Sequence, residues 1–167
     1  PGSTTARNRG LKEAETPYTM FFDSDDLMAP NHVKRAVDAF IANPDIDVVG
    51  WDVDVKTLSG GKTAYRFCDK NILYNHIFHA TFATQRYAAR TKLFRDAGEW
   101  NESLPAWNDY ELGVRILLAN PKITHLSGNT TVTVVLQKES ITGTKFSSKP
   151  QCWEMALNTI DNALDNG

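Results

Sequence analysis

Three carboxylates crowd into four positions of the segment YTMFFDSDDLMAP, which occupies residues 18–30. Asp23, Asp25 and Asp26 repel one another unless a cation or a well-solvated loop offsets their charge. Magnesium and manganese prefer oxygen ligands, and they commonly bind one or two carboxylates together with the phosphates of a substrate. The spacing of Asp23 and Asp25 therefore favours a divalent-cation site. The same acids would also serve as solvated turn residues or as a cap for the helix that follows.

Two other acid-loop chemistries can be compared with the same residues. A calcium loop of the EF-hand type needs glycine at its sixth position and glutamate at its twelfth. Counted from Asp23, these positions hold Met28 and Lys34, which excludes that chemistry. A phosphatase of the haloacid-dehalogenase type also places an Asp-x-Asp pair after a hydrophobic strand, with the first aspartate as nucleophile. This alternative stays open, although Asp52 and Asp54 alternate within a predicted strand and match its second acidic pair poorly.

The acidic cluster lies between a predicted strand and a predicted helix. YTMFF is apolar without polar alternation, which is typical of a strand covered on both faces in a parallel sheet. Before it, ARNRGLKEAE predicts a short helix that ends ahead of Pro17. After the acids, Pro30 suits the first turn of a helix. The apolar residues that recur along this helix at three- and four-residue spacing are Val33, Ala36, Val37, Phe40 and Ile41.

Further strands and helices are predicted downstream. DVVGWDVDV predicts a strand whose Asp52 and Asp54 face water, and TAYRF is its hairpin partner across the turn LSGGK. ATFATQRYAARTKLFRDAG predicts a strand and a short helix capped by Gly98, whereas residues 69–79 fit no clear pattern. KITHL and TTVTVVLQ predict strands by their β-branched content. A closing helix is predicted with an apolar side formed by Trp153, Leu157, Ile160 and Leu164.

A further acid, Asp109, stands at the start of the predicted helix DYELGVRILLAN. An acid in this position caps a helix and is stabilised by the helix dipole. Glu111 and Arg115 are spaced four residues apart, which favours an ion pair on an exposed helix face.

The composition limits the function classes that fit the chain. Its 167 residues, 41% of them apolar, suit one domain spanning residues 1–167. Eighteen Lys and Arg against 20 Asp and Glu give a net charge of −2, which argues against a nucleic-acid partner. Cys68 and Cys152 lack C-x-x-C spacing, and the four histidines show no metal-ligand spacing. No segment is apolar enough over about 20 residues to span a membrane.

Several stretches, in this order, resemble family 2 glycosyltransferases of the GT-A fold. They are ARNRGLKEAETPYTMFFDSDDLMAPNHV, GEWNESLPAWNDYELGVRILL and VVLQKESIT. Asn108 and Asp109 stand where the family more often has Glu-Asp. Val135 and Gln137 stand where an arginine and a histidine often occur, and Ser140 is retained. The likeness covers most of residues 5–142 and implies an α/β fold, an incomplete GT-A (Rossmann-like) mixed sheet flanked by helices.

On the donor side, the resemblance implies binding of a nucleoside-diphosphate sugar. Asp23 and Asp25 would contact the donor and its metal-bound diphosphate, with Asp25 the direct ligand of Mn²⁺ or Mg²⁺ and Asp26 in support. Arg7 and Asn8 could touch the nucleotide or merely stabilise an early turn.

On the acceptor side, the resemblance implies that Asp109 is the general base of an inverting transfer. A hydroxyl is a poor nucleophile at neutral pH, so a carboxylate within hydrogen-bond reach helps by taking its proton. The acceptor would be a saccharide or another hydroxyl compound. Trp100 and Trp107 flank the preceding loop and could either stack on a sugar ring or pack in the interior.

In a GT-A domain the nucleotide mostly rests on the first half, and we expect that this chain starts too late to contain that half. We therefore expect the C-terminal, acceptor-side part of a longer, cytoplasmic enzyme of cell-surface polysaccharide synthesis at the inner membrane face. An incomplete sheet exposes an edge strand, which would allow a homodimer. The alternative is a non-catalytic carbohydrate-binding or assembly module of the same fold.

Overall fold

The computed structural model describes residues 2–136 and 150–165, and its strands form two four-stranded sheets with helices around them. The helices are α1 (Ser3–Glu13), α2 (His32–Ala42), α3 (Ile72–His79), α4 (Thr91–Asp96), α5 (Asn108–Leu118) and α6 (Pro150–Asp165), with a 3-10 turn at Thr84–Arg86. The strands are β1 (Tyr18–Met20), β2 (Leu27–Met28), β3 (Val48–Trp51), β4 (Val53–Lys56), β5 (Lys62–Tyr65), β6 (Tyr87–Arg90), β7 (Ile123–Leu126) and β8 (Val132–Val135). The prediction of a mixed α/β fold is confirmed.

The first sheet has the order β1-β6-β3-β7 and is mixed. Strand β3 is buried along its whole length and pairs parallel with β7 and antiparallel with β6. The segment YTMFF packs against both core clusters, Phe21 against one and Tyr18, Met20 and Phe22 against the other, although β1 itself is only half-buried. The predicted parallel pairing is wrong, because β1 pairs antiparallel with β6. Within the described ranges β1 forms an edge of this sheet. Pairing of that edge with a second copy stays a prediction.

The second sheet has the order β2-β8-β4-β5, and the predicted hairpin is confirmed by the antiparallel pairing of β4 and β5. The chain passes from β3 into β4, and hence from one sheet to the other, at Asp52. Asp52 is only 8% exposed, so the prediction that it faces water is wrong. Its carboxylate accepts hydrogen bonds from Arg66 at 2.6 Å and from the Phe67 N–H at 2.8 Å. His125 Nε2 lies 3.0 Å from the same group.

These partners also decide the charge of Asp52. Burial alone would raise its pKa, but the Phe67 N–H, Arg66 and His125 together bring that pKa below the ordinary value of 3.8. Asp52 is therefore a charged group satisfied inside the protein at the point where the two sheets meet.

The predicted helices are present, but two of them bury a different side from the one predicted. Helix α2 buries Ala36 and Phe40, whereas Ile41 of the same predicted face is 67% exposed. Helix α6 buries Ala156 and Ile160. The other two predicted apolar positions of α6, Leu157 and Leu164, are exposed. Within the described ranges no helix is long and apolar enough to cross a membrane.

Helix α5 has more buried residues than any other described helix, and it contains an ion pair between two of its own side chains. The predicted pair is confirmed, since Arg115 binds Glu111 through two bonds of 2.6 and 2.7 Å. The predicted exposed face is wrong, because Glu111 is 1% exposed. Arg115 also donates to the carbonyls of Ala97 and Glu99, just after α4. The cap of α4 is as predicted, with Gly98 in the left-handed region at φ +84°.

Helix α3, which the sequence pattern did not predict, packs against α5 at a glycine. His76 is buried there; its Nδ1 accepts the Phe82 N–H at 3.1 Å, so its Nε2 donates to the Tyr110 carbonyl at 2.8 Å. Burial lowers the pKa of His76 to about 4, which keeps the ring neutral. A Cβ on Gly113 would lie 2.4 Å from His76 Nε2 and 2.7 Å from Phe82 Cβ. The two helices can therefore approach this closely only because residue 113 has no side chain.

We expect Gly113→Ala to lower the free energy of unfolding by about 1–3 kcal/mol, because the overpacked contact outweighs the better helix propensity of alanine. Gly10→Ala is the matched control, since a Cβ on this α1 residue meets nothing within 4 Å. It should leave stability unchanged or raise it by up to about 1 kcal/mol. Thermal and denaturant unfolding of both variants would measure this, and equal effects would show that α3 and α5 are not tightly packed.

Candidate functional site

The acidic segment follows β1, and its first residue, Phe21, is anchored by aromatic contacts in the core. Phe21 packs edge-on against Phe94 and Trp100, with ring centroids 5.1 Å apart in both cases. Two residues later the chain turns, and the Asp26 N–H donates to the Asp23 carbonyl at 3.2 Å. The carboxylates therefore project from a loop whose start is fixed in the core.

Asp23 is held by two side chains from distant parts of the sequence. Its Oδ1 accepts a hydrogen bond from Arg7 Nη2 at 2.7 Å, and its Oδ2 accepts one from Gln85 Nε2 at 2.6 Å. The ion pair with Arg7 is partly buried, which makes it stronger than a surface pair. Both carboxylate oxygens of Asp23 therefore have protein partners.

Asp26 and Asp25 differ sharply in environment. Asp26 Oδ1 accepts the Val135 N–H of β8 at 2.9 Å, while its buried Oδ2 has no partner among the described residues. Burial raises the pKa of Asp26, and the charges of Asp25 and Asp23 raise it further against the Val135 bond. Asp25 itself is exposed, and no hydrogen bond or ion pair joins it to another described residue. Among the described residues, one carboxylate is thus exposed to solvent beside another whose inner oxygen has no hydrogen-bond donor.

The carboxylates of Asp25 and Asp26 could supply some, but not all, of the ligands of a cation. An orphaned carboxylate oxygen and mutual repulsion are both relieved by positive charge. However, the described residues contain no group of three or more His, Cys, Asp or Glu side chains arranged to hold a metal ion. The donor set fits an ion that takes one or two carboxylates from the protein and the remaining ligands from a substrate.

Arg7 on α1 connects the acidic loop with the start of α5. Its side chain is 15% exposed, and its guanidinium lies over the Trp100 ring, 4.5 Å from the centroid. Besides the bond to Asp23, Arg7 Nη1 lies 3.4 Å from Asn108 Oδ1. The planar guanidinium, with donors on several sides, is suited to such a bridging position.

Asp109 is the second residue of α5 and follows Asn108, which Arg7 contacts at the opposite end from the acidic loop. Its Oδ1 accepts the Tyr110 N–H at 2.9 Å, and its Oδ2 lies at 3.5 Å from the Thr84 hydroxyl, a long hydrogen bond. Burial raises the pKa of Asp109, while the Tyr110 N–H and the nearby charge of Arg7 act to lower it. A carboxylate with a raised pKa is a better proton acceptor, as a general base requires.

The 3-10 turn at Thr84–Arg86 contacts both acids through adjacent residues. Thr84 reaches Asp109 and Gln85 reaches Asp23, while Trp51 Nε1 fixes the turn by donating to the Gln85 carbonyl at 2.7 Å. The sequence pattern did not predict this turn, although a polar Thr-Gln pair inside the apolar stretch ATFATQRYAA could have indicated it.

The other predicted site residues lie at different places. Asn8 binds the loop before α5, donating to the Trp100 carbonyl at 2.8 Å and accepting the Trp100 N–H at 2.9 Å. Trp100 is 2% exposed, so it packs and offers no face to a sugar. Trp107 is partly exposed. Gln137 and Ser140 lie outside the described residues.

The second acidic pair of a haloacid-dehalogenase-type phosphatase is not found at Asp52 and Asp54. Asp52 is buried among Arg66, Phe67 and His125, and Asp54 pairs with Lys62 across the β4–β5 hairpin at 2.9 Å. Both acids therefore serve the structure of the second sheet.

Comparison with known proteins identifies a family and a similar fold. A family model described as glycosyl transferase family 2 matches residues 2–98. No curated protein matches the chain. A solved 1–349 segment of S. aureus TarS is similar over 99% of this chain and 46% of that one, with 22% identity and a TM-score of 0.74. The same segment with UDP-GlcNAc is similar over 100% and 47%, with 23% identity and a TM-score of 0.73.

At this level of identity the likeness to TarS shows a shared fold. The chain spans about half the length of these solved chains.

Proposed function

Because the chain belongs to glycosyl transferase family 2, we propose that it carries the acceptor side of a site that transfers a sugar from a nucleoside diphosphate to a hydroxyl group. The observation that supports this is the placement of Asp23 and Asp109 on either side of Arg7, although the two acids are 86 positions apart in the sequence. One cleft would then hold both the donor and the base. S. aureus TarS has been solved with UDP and with UDP-GlcNAc.

On the donor side, Arg7 supplies the positive charge for a diphosphate. Arginine binds phosphate oxygens through two parallel hydrogen bonds, and the Arg7 guanidinium already faces the loop that carries Asp25. We propose that Asp25, supported by Asp26, holds a Mg²⁺ or Mn²⁺ ion that the diphosphate completes. Such an ion supplies charge stabilisation for the departing nucleoside diphosphate. Asn8 would act indirectly, by holding the loop at Trp100 and not by contacting the donor.

On the acceptor side, Asp109 takes the proton of the incoming hydroxyl. The acceptor oxygen forms a bond to the anomeric carbon while the bond from that carbon to the β-phosphate oxygen breaks. The bonding electrons leave with the diphosphate, and the proton stays on the Asp109 carboxylate. Attack from the side opposite the leaving group inverts the anomeric carbon.

A second candidate is a carbohydrate-binding or assembly module without turnover. It is favoured by the pairing of both Asp23 oxygens with Arg7 and Gln85, which already takes up part of the hydrogen-bonding capacity that a ligand would need. The two candidates differ in whether Asp109 is needed for sugar transfer.

Asp109→Asn should lower kcat for transfer by about 10²–10⁴-fold while leaving donor affinity unchanged, because only the proton acceptor is removed. In the unmodified protein, kcat should rise with pH through a pKa above 3.8, since burial raises the pKa of the Asp109 carboxyl that must be deprotonated. Steady-state kinetics and donor calorimetry on the intact protein measure both. Asp38→Asn, an exposed carboxylate paired with Lys34, is the matched control. Unchanged kcat in Asp109→Asn would remove it from the mechanism.

Asp25→Asn should weaken Mn²⁺ binding at least tenfold in the presence of a nucleoside diphosphate, because it removes an exposed carboxylate that no described residue pairs. Calorimetric titration of the intact protein with Mn²⁺ measures this. Asp96→Asn, which removes an exposed acid paired with Lys92, should not change binding. Equal Mn²⁺ affinity with and without the Asp25 carboxylate would exclude it as a ligand.

A further inference from the structure

The helix that carries Asp109 begins at a residue with an unfavourable backbone conformation. Trp107 immediately precedes α5 and has φ 54° and ψ 25°, in the left-handed region. Any residue with a Cβ is disfavoured there, and a bulky one is an outlier that its surroundings must hold in place. The Trp107 carbonyl accepts the Glu111 N–H at 2.9 Å, which closes the first turn of the helix. The conformation of Trp107 therefore sets where Asp109, two residues later, is placed.

The contacts that hold Trp107 come from its indole ring. Among the described residues, the Trp107 side chain makes no hydrogen bond that caps this end of α5. Instead the ring stacks on Trp153 of α6, with centroids 5.7 Å apart and planes within 9° of parallel. Tyr110 meets the same ring nearly edge-on at 5.5 Å. A stack of two large planar side chains fixes the ring in position and orientation together.

Helix α6 is anchored independently of this stack. Ala156 and Ile160 are buried, and they lie about one and two turns beyond Trp153 on the same side of the helix. The Trp153 ring is thus presented by a helix that other side chains already hold, while its own ring stays partly exposed. Packing of the helix and positioning of Trp107 can be separated by mutation.

We propose that Trp153 is a positioning residue for Asp109 and acts through the stacked ring of Trp107. The proposal rests on the proposed function, in which Asp109 is the general base. Without the stack, Trp107 relaxes to a favourable backbone conformation and the first turn of α5 shifts. The bond between Asp109 and Thr84, already 3.5 Å long, is then lost. Arg7 keeps its contacts with Asp23 and Trp100, so the donor side is preserved.

The test compares Trp153→Leu with Trp153→Phe and Ile160→Ala in the intact protein. Trp153→Leu should lower kcat about tenfold or more, as small misplacements of reacting groups do, with KM for the donor within about twofold. The rise of kcat on the acidic side of its pH profile, here called the acid limb, should move to lower pH. A less buried Asp109 loses the burial that raises its pKa. Trp153→Phe keeps a planar ring and should restore part of kcat. Ile160→Ala should lower thermal stability with little effect on the acid limb.

Two readouts do not depend on turnover. Near-ultraviolet circular dichroism reports the stacked indoles, and carboxyl NMR titration reports the pKa of Asp109, which Trp153→Leu should lower. If the unmodified protein transfers no sugar, the proposed function fails, and the NMR titration still decides the inference. An unchanged Asp109 pKa in Trp153→Leu would overturn it. Equal effects of Trp153→Leu and Ile160→Ala on kcat and the acid limb would also overturn it, by reducing Trp153 to a packing residue.

Discussion

The site depends on the interactions that compensate the positive charge of Arg7. A guanidinium that is largely removed from water must be paired and hydrogen-bonded, or the fold is heavily destabilised. Arg7 meets this requirement with Asp23, with Asn108 and with the face of Trp100. These partners belong to the loop after β1, to the start of α5 and to the loop between α4 and α5. Satisfying one cation therefore brings the acidic cluster and the region of Asp109 to a common place.

Around that cation, four aspartates acquire different properties from different surroundings. Asp23 is paired by Arg7 and Gln85, and Asp25 is exposed. Asp26 is held by Val135, and its other oxygen has no partner in the part of the chain that the structure describes. Asp109 is buried enough for its pKa to rise. Such separation of carboxylate environments would let one site offer both the cation ligand and the base that we propose. Burial, hydrogen bonding and solvent access thus divide the chemistry among acids of one residue type.

Local sequence pattern predicted most of the elements, because periodicity and turn residues act over short range. The hairpin of β4 and β5 and the cap at Gly98 are examples. What the pattern could not predict depends on partners far along the chain. Asp52 is buried because the chain changes sheets there, and Glu111 is buried because Arg115 reaches the carbonyls after α4. Likewise, Asp23 was singled out by the spacing of its acidic cluster and Asp109 by the family resemblance, but the Thr84–Gln85 turn between them follows only from the tertiary fold.

The pKa of Asp109 in the presence and absence of the Arg7 charge tests most directly whether the two acids share one cleft. Carboxyl NMR titration of the intact protein should give an Asp109 pKa above 3.8, and Arg7→Met should raise that pKa further, because the cation that favours the charged carboxylate is removed. Arg9→Met, two residues along α1 in an exposed pair with Glu13, should leave it unchanged. An Asp109 pKa that is the same in folded Arg7→Met as in the unmodified protein would contradict the account.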